Sequence, residues 1–481
     1  MSLKFFRQYL SPTNPFRLAY HFCLELFWVI FYRFPARKIC VIGITGTDGK
    51  TTTANLLAEI LQQAGQRVAL ATTINFRLAG QTWVNLTKQT TLSHGGVNHF
   101  LAQAVRQKCQ FAILEVSSHA LTQFRVLGVK FQLAILTNLT REHLDFHKTF
   151  TQYRAAKQQL FRQLQLPAHY PCQAILPAEN FAPAKFLPLP KSWPQKRAQP
   201  TPSETSVQIH SNVTPKSARP RKPQFPFHYV TFGLQKGAFR IREIKSEGSL
   251  STLEISSQTE NCRFQTGLRG QPNQQNILAA FLAARILGLP LPKITAALKL
   301  INFIPGRFET IEAGQNFQVI VDFAHTPAAL TKLLKTFRPW TQGKIWLVFG
   351  ATGERDRGKR PLMGKIAAQL ADKIVLTSDD PFHEDPRKII REVAQGIQRR
   401  QNFWSKVSRR AALEFALNKA QAGDTVLLAG KGCERFQVVG NKKIPWDERQ
   451  IARQILQKRF KAPISKAGGK KQAQNPAADF C

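Results

Sequence analysis

The run Gly43-Ile-Thr-Gly-Thr-Asp-Gly-Lys-Thr-Thr-Thr53 holds the sharpest chemistry in this 481-residue sequence. Glycines let backbone N–H groups curl around a phosphate chain, and a helix opening just after them adds its dipole. Lys50 can then reach the outer phosphates of a nucleotide, and the Thr51 hydroxyl is placed to ligate Mg²⁺. The strict P-loop spacing G-x-x-x-x-G-K-[ST] is not met, because Ile44 stands where its first glycine belongs. Thr45, Gly46, Thr47, Asp48, Gly49 and Thr52 complete a variant of that loop. A second constellation lies downstream. Glu115 closes the run FAILE ahead of Val-Ser117-Ser-His119, and Asn138-Leu-Thr-Arg-Glu-His143-Leu-Asp-Phe-His147 follows the next apolar run. An acid at the C-terminal end of a sheet strand lies where ligands bind in open α/β sheets. Glu115 and His143 could hold a metal that bridges nucleotide phosphates. Alone, either is an ordinary hydrogen-bonded loop residue; beside the phosphate loop, the pair reads as ligands.

These residues need strands that end together. KICVIGITG is a short β-branched run ending in glycines, and TTTANLLAEILQQAG then shows helical spacing closed by Gly65. VALATT, FAILEVSS and LAILTNL repeat the pattern, with helices expected at 97–107 and from about Phe150 to Leu164. Such alternation predicts an α/β fold: a P-loop ATPase domain with a mainly parallel sheet. A strand-rich stretch follows (HYVTFGL, AFRIREIK, TLEISS, CRFQTGL), then a helix from about Gln274 to Leu287. After Pro305-Gly306 a second, Rossmann-like α/β series begins with FQVIVDFA, KIWLVFG, KIVLTSD and DTVLLAG. The domain boundaries predicted are 1–38 for a short apolar and basic segment, 39–302 for the P-loop domain and 303–456 for the C-terminal domain. Residues 183–226 contain ten prolines and eight Lys or Arg against one acid, which predicts an extended, solvated insertion. Residues 457–481 read as a disordered basic tail.

Composition sets outer limits. At 43% hydrophobic and 20% charged residues, a wholly disordered or fibrous chain is excluded. The formal net charge of +39 calls for an anionic partner: nucleic acid, an acidic membrane surface or a phosphorylated substrate. Segments 1–38, 183–226 and 457–481 carry +5, +7 and +5, leaving +22 on the remainder. The seven scattered cysteines form no C-x-x-C pair and read as reduced, space-filling thiols. Leu18–Tyr32 is apolar except for His21 and Glu25 and is flanked by Arg17 and Arg33. It is shorter than the ~20 residues of a spanning helix. Three readings stay open for it: a helix in the membrane interface, a helix packed on the next domain, or a short anchor.

TGTDGKTTT, EVSSHAL, TNLTREHLDFH, YRAAKQQLF, PGRFE, VDFAHTPAAL, GATGERDRGKRPLMG and LLAGKGCE occur in this order. On these motifs the chain resembles the Mur ligases, and among them the UDP-N-acetylmuramyl-tripeptide synthetases of peptidoglycan synthesis. The resemblance implies an ATP-dependent amide ligase acting through an acyl phosphate, with a muropeptide and an amino acid as substrates. It implies a cytoplasmic enzyme, peripheral to the inner membrane face if residues 18–32 touch lipid, with no nucleic acid partner and a monomeric state. Motif by motif it assigns Thr51, Glu115, His143 and Lys157 to two Mg²⁺ ions, with Lys157 N-carbamylated. Lys50, Lys157, His143 and Glu115 become catalytic. Asn276, Arg307, Asp322 and His325 become nucleotide-side residues, the last three linking the C-terminal domain to the nucleotide. Thr90, Thr91, Ser117, Arg355, Lys359, Asp379, Asp380, Gly430 and Glu434 become substrate-binding.

Two departures stand out against that family. Diaminopimelate-using members carry D-N-P-R where this chain reads Asp379-Asp380-Pro381-Phe382, so the arginine that would grip a distal carboxylate is absent. Asp380 could favour an amine instead, which brings lysine or ornithine into range. Only some forty residues precede the phosphate loop, whereas the family's UDP-binding domain has about a hundred, so a lipid-linked acceptor also comes into range. Ligases of the folylpolyglutamate or cyanophycin type, and a non-catalytic basic binding protein on a ligase scaffold, are the alternatives.

Overall fold

The computed structural model describes residues 14–87, 89–164, 173–179, 186–187, 229–247, 250–397 and 402–460. The insertion expected at 183–226, apart from Phe186 and Leu187, and the tail from 461 onward lie outside them. Two compact units meet in sequence at Asn302/Phe303.

The first unit is built on an eleven-stranded sheet. Its strands are β1 (Cys40–Thr45), β2 (Val68–Ala71), β3 (Asn75–Leu78), β4 (Gln81–Val84), β5 (Phe111–Glu115), β6 (Leu133–Leu136), β7 (Ala174–Pro177), β8 (Tyr229–Gly233), β9 (Phe239–Glu247), β10 (Leu250–Ser256) and β11 (Asn261–Thr266), in the order β11-β10-β9-β8-β7-β6-β1-β5-β2-β3-β4. The run from β2 to β9 is parallel, and antiparallel strands extend each edge. The central strands are buried along almost their whole length, as strands covered on both faces must be. β5 and β6 flank β1 on opposite sides, so the chain crosses over β1 between them. Their C-terminal ends therefore open on the crevice where such sheets bind ligands.

Helices α1 (Pro15–Phe31), α2 (Lys50–Gln63), α3 (Gly96–Arg106), α4 (Ser118–Thr122), α5 (Leu144–His147), α6 (Phe150–Arg162), α7 (Gln271–Ile286) and α8 (Leu291–Leu300) belong to this unit. α7 is buried all round from Ile277 to Ala284, which explains its Ala- and Leu-rich sequence and packs it against α2. α1 covers most of the apolar stretch 18–32, and no helix among the described residues is long and apolar enough to cross a membrane. Its inward residues are His21, Glu25 and Val29, so packing on the first unit is what one of its faces does.

The second unit carries β12 (Glu309–Thr310), β13 (Gln318–Asp322), β14 (Ile345–Phe349), β15 (Lys373–Thr377), β16 (Phe403–Lys406) and β17 (Thr425–Ala429) in the order β12-β13-β17-β14-β15-β16, all parallel except β12. A hairpin, β18 (Phe436–Val439) and β19 (Lys442–Pro445), stands apart from this sheet. Helices α9 (Pro327–Phe337), α10 (Lys359–Leu370), α11 (Pro386–Ala394), α12 (Arg409–Lys419) and α13 (Glu448–Phe460) connect and cover the strands. Two apolar layers lie on the two sides of the sheet, one around Leu333, Leu347 and Met363, the other around Val319, Leu413 and Leu456. Strand–helix alternation thus gives the expected pair of α/β sheets. α13 runs to Phe460, past the start of the tail placed at 457.

Candidate active site

β1 delivers the chain into the phosphate loop at Thr45, and α2 leaves it at Lys50. Two glycines make the turn possible. A Cβ at Gly46 would lie 1.9 Å from Thr137 Oγ1, and one at Gly49, whose φ is 79°, would lie 2.2 Å from Asn276 Oδ1. Asn138, just beyond β6, clamps the loop by accepting from Thr47 N (3.2 Å) and Asp48 N (2.9 Å). Thr137 Oγ1 donates to Asp48 O at 2.5 Å. Asn276, from α7, also accepts from Thr53 Oγ1 at 3.3 Å. Asn276 is thus set against the loop in spite of Pro272, which takes its place in the first turn of α7, where a proline is tolerated.

Glu115 ends β5 beside the loop with its side chain almost fully buried. Thr51 Oγ1 donates to its Oε2 at 3.0 Å, and Thr73 reaches both oxygens, through N (2.8 Å) and Oγ1 (3.0 Å). Thr91 Oγ1 donates to the Glu115 carbonyl (3.0 Å) and accepts from Ser117 N (2.9 Å), while Thr90 is half-buried next to it. Sequence reasoning missed Thr73; its signal was a polar pair, Thr72-Thr73, closing the run VALATT. A hydroxyl and a carboxylate at 3.0 Å form a hard oxygen set that suits Mg²⁺, so these residues fit the implied ion. Among the described residues, no three of Asp, Glu, His or Cys converge at this loop.

Two lysines meet at one carbonyl. Lys50 Nζ donates to Gly46 O (3.1 Å) and Thr47 O (2.8 Å), and Lys157 Nζ, from α6, donates to the same Gly46 O at 2.6 Å. Lys157 is buried and lies 4.6 Å over the Tyr153 ring, whose hydroxyl contacts Thr47 Oγ1 at 3.1 Å. Burial first, and the charge of Lys50 second, hold the Lys157 amine well below the usual lysine range. His143 stands on the loop before α5 with φ at 54°. Its half-exposed ring is 4.8 Å from that of His119 and 6.2 Å from that of Tyr153, and Glu142 lies 3.6 Å away. Thr51 with Glu115, and Lys50 with Lys157, are therefore brought together directly. His143 joins them through Tyr153.

The second unit gathers the remaining predicted residues. Asp322 ends β13 and accepts from Phe308 N (3.0 Å) and Ala324 N (2.8 Å). Its burial pushes the carboxyl up, against the pull of Arg307, whose guanidinium stacks 4.7 Å over Phe323. Lys359 Nζ donates to His325 O at 3.0 Å, and burial lowers its amine; Arg355 is exposed. Asp379, Asp380 and Glu434 bring carboxylate oxygens within 4.8 Å of one another. Lys431, which sequence reading passed over, stands among them. Its Nζ reaches Asp380 Oδ1 at 2.8 Å, Asp379 Oδ1 at 3.7 Å and Glu434 Oε2. Asp380 also accepts from Val438 N (2.9 Å). Asp380 was expected to favour a substrate amine; the amine it meets is the chain's own, because Lys431 is buried and would otherwise stand unpaired. Gly430, with φ at 107°, brings its Cα so near Asp379 that a Cβ would come within 2.9 Å of Oδ2. Phe382 bridges to Val439 on the hairpin and holds φ at 51°. Its loop is pinned instead by Glu384, which takes Arg360 bidentately at 2.9 and 3.0 Å.

A glycine loop opening a helix in a parallel sheet, with an acid and a hydroxyl at adjoining strand ends, defines a P-loop nucleotide-binding protein. Comparison with known proteins takes the class further. Residues 44–186 match the Mur ligase middle domain, and residues 306–432 match the Mur ligase, glutamate ligase domain. A UDP-N-acetylmuramoyl-L-alanyl-D-glutamate–2,6-diaminopimelate ligase from Thermosynechococcus vestitus is 36% identical over 439 residues, covering 91% of this chain and 80% of the relative. The protein of the same name from Synechococcus elongatus is 38% identical over 434 residues, covering 90% and 79%. A solved structure of such a ligase is similar with a TM-score of 0.57 at 31% identity, covering 88% of this chain and 79% of that one. A MurF ligase from Thermotoga maritima in complex with ADP shares the fold, with a TM-score of 0.61 at 14% identity over 91% and 84% of the two chains. The chain belongs to the Mur ligase family.

Proposed function

We propose that this Mur ligase joins a muropeptide carboxylate to the amino group of an amino acid at the expense of ATP. The observation that carries the reading is the meeting of Lys50 and Lys157 at Gly46 O, beside the Thr51–Glu115 pair. That arrangement sets the Lys50 cation, a second amine whose charge burial disfavours, and oxygen ligands where a γ-phosphate would transfer. The acceptor carboxylate attacks the γ-phosphorus, ADP leaves, and an acyl phosphate forms. The amine then attacks the acyl carbon, inorganic phosphate departs, and the amine proton passes to solvent. Lys50 and the loop N–H groups hold the phosphates through both steps. Mg²⁺, held by Thr51 and Glu115, would screen the phosphate oxygens. Burial disfavours the charged form of Lys157, and if the lysine were N-carbamylated, its carbamate with His143 would supply further oxygen and nitrogen ligands. Asn276, which accepts from Thr53 beside the loop, would take the nucleotide-side role its motif carries. In the second unit, Arg307, Asp322 and His325 keep the nucleotide-side role carried by their motifs, and Arg355, Lys359, Asp379 and Glu434 the substrate-side role.

The relatives are named for 2,6-diaminopimelate, which makes it the first candidate for the added amino acid. Phe382 favours a second reading, a diamino acid without a distal carboxylate, because a phenyl ring cannot form a bidentate clamp. The test is phosphate release with ATP, run with UDP-linked and lipid-linked muropeptides against a panel of amino acids. Release that requires both acceptor and amino acid, and that falls about 10²–10³-fold in Lys50→Ala, is the expected outcome. Release that ignores the acceptor, or survives Lys50→Ala, would sink the ligase reading. The amino acid that supports turnover separates the two substrate readings.

A further inference from the structure

We propose that the outer face of α1, with the basic cleft at its C-terminal end, docks on an anionic phospholipid surface. The helix is inside out. Its buried seam is polar: the Glu25 carboxylate accepts from Gly95 N (3.1 Å) and Asn98 Nδ2 (3.0 Å) and meets His94 Nδ1 at 3.1 Å. The His21 ring stacks on His94 with centroids 4.6 Å apart. Val29 completes the seam over Gly128, where a Cβ would come within 2.7 Å of its Cγ1. The residues at spacing i, i+4, i+8 are thus used up by the fold.

What faces outward is apolar. Phe16, Tyr20, Leu26, Phe27, Ile30 and Phe31 are 39–79% exposed, and between Arg17 and Arg33 the only charged residue is the buried Glu25. A helix covering a water-soluble surface shows the reverse pattern, and a contiguous apolar ridge of this kind marks an interaction surface. Aromatic rings and aliphatic side chains together are the composition of a helix lying at the lipid boundary, and this helix has 17 residues, too few to cross.

The rim identifies the occupant. An open cleft of about 390 Å³ at the end of the ridge is lined by Phe31, Tyr32, Arg33, Pro35, Lys38 and Arg106 among others. Arg33, Lys38 and Arg106 are exposed and have no ion pair among the described residues. Arg37, also exposed, lies over the Phe34 ring at 4.4 Å. Cations beside a ridge of rings fit phosphate headgroups above acyl chains, and the chain's net charge of +39 draws it to such a surface. A second copy of the chain would bring the same cations to the same rim, so an anionic partner is favoured over self-association. The inference stands apart from the ligase reading.

Flotation of the full chain with phosphatidylcholine vesicles, with and without phosphatidylglycerol, tests it. The expected result is flotation with phosphatidylglycerol vesicles, reduced at least ~10-fold in Phe27→Ser/Phe31→Ser, which leaves the charge unchanged. Phe27→Leu/Phe31→Leu should restore it, and Arg33→Ser/Lys38→Ser/Arg106→Ser should remove the preference for phosphatidylglycerol. Circular dichroism of each variant separates lost docking from lost fold. If the Ser variant floats as well as the unaltered chain, attraction by basic segments alone explains binding and the proposal is overturned. Absence of flotation, with a dimer that the Ser variant dissolves, overturns it in favour of a protein interface.

Discussion

Lys157 and Lys431 are both buried, each beside a glycine-rich turn at the end of a parallel sheet, and their surroundings oppose one another. Lys157 meets a carbonyl and a tyrosine ring, with another lysine close by, so burial and repulsion both act against its charge. Lys431 has three carboxylates. Burial works against its charge too, but Asp379, Glu434 and Asp380 outweigh it and hold the amine above its ordinary range. Burial alone therefore does not decide whether a buried lysine keeps its charge; acids in direct contact do, since Glu142, Asp48 and Glu115 also favour the charge of Lys157 but form no ion pair with it among the described residues. In the first unit the fold disfavours the lysine's charge. In the second, it is a structural cation that holds the Asp379-Asp380 loop to the segment before β18.

The largest effect expected from breaking this contrast falls on Lys431. Lys431→Met leaves three acids within 4.8 Å of one another without their cation, and should cost about 3–5 kcal/mol in denaturant-induced unfolding. A loss under about 1 kcal/mol would mean that the acids share their charge with solvent or an ion instead. Next comes Lys157→Met. It removes one hydrogen bond to Gly46 O, worth about 1 kcal/mol, and also removes an amine whose charge the fold disfavours, so stability should move by less than about 1 kcal/mol. Phosphate release should nevertheless fall about 10²–10³-fold, and a short carboxylic acid added to Lys157→Ala should restore part of it by standing in for the carbamate. If activity survives in the methionine variant, Lys157 has no part in the chemistry. A smaller effect is expected at the loop of Phe382. Glu384→Gln weakens the grip on the fully buried Arg360 while leaving Glu392, at 2.5 Å, in place, for a loss of about 1–3 kcal/mol in the same unfolding measurement.

Sequence alone gave access to one of the two lysines. Lys50, Thr51 and Glu115 lie in motifs whose spacing to strand ends is local, so the phosphate loop and its acid could be placed without coordinates, whereas Lys157 was reached only through the resemblance of YRAAKQQLF to a family motif. The parallel cores of the two sheets were equally legible, since β1, β5 and β6 in the first unit and β13, β14 and β15 in the second are short apolar runs each followed by a helix. Lys431 was hidden because its meaning depends on two acids some fifty residues away, which follow β15, two strands from β17 in the sheet. Thr73 was hidden for the same reason: Glu115 reaches it only through the pairing of β2 with β5. In α1, sequence offered the polar residues as interruptions of an apolar stretch, and periodicity could not say which face the protein would cover. Hydrogen bonds to Gly95 and Asn98 decided it, and those partners come from the start of α3, some seventy residues away.

The finest distinction between the two lysines lies at alkaline pH, measured under CO₂-free conditions so that Lys157 stays an amine. Lys157 has a depressed value in the folded state and an ordinary one, near 10.4, when unfolded. Between those values the unfolded chain binds the extra proton, so this residue makes stability rise with pH and stops doing so near 10.4. Lys431 has a raised folded value, so its contribution is fully present below about 10.4 and is lost as pH climbs through the folded value above that. Each slope is at most about 1.4 kcal/mol per pH unit for a single proton. Subtracting the unfolding curve of Lys157→Met from that of the unaltered chain should leave a difference that climbs and then flattens. The same subtraction for Lys431→Met should leave one that is flat and then falls. Two differences of the same sign would show that Lys157 has a charged partner after all, and would remove the physical basis for its reactivity.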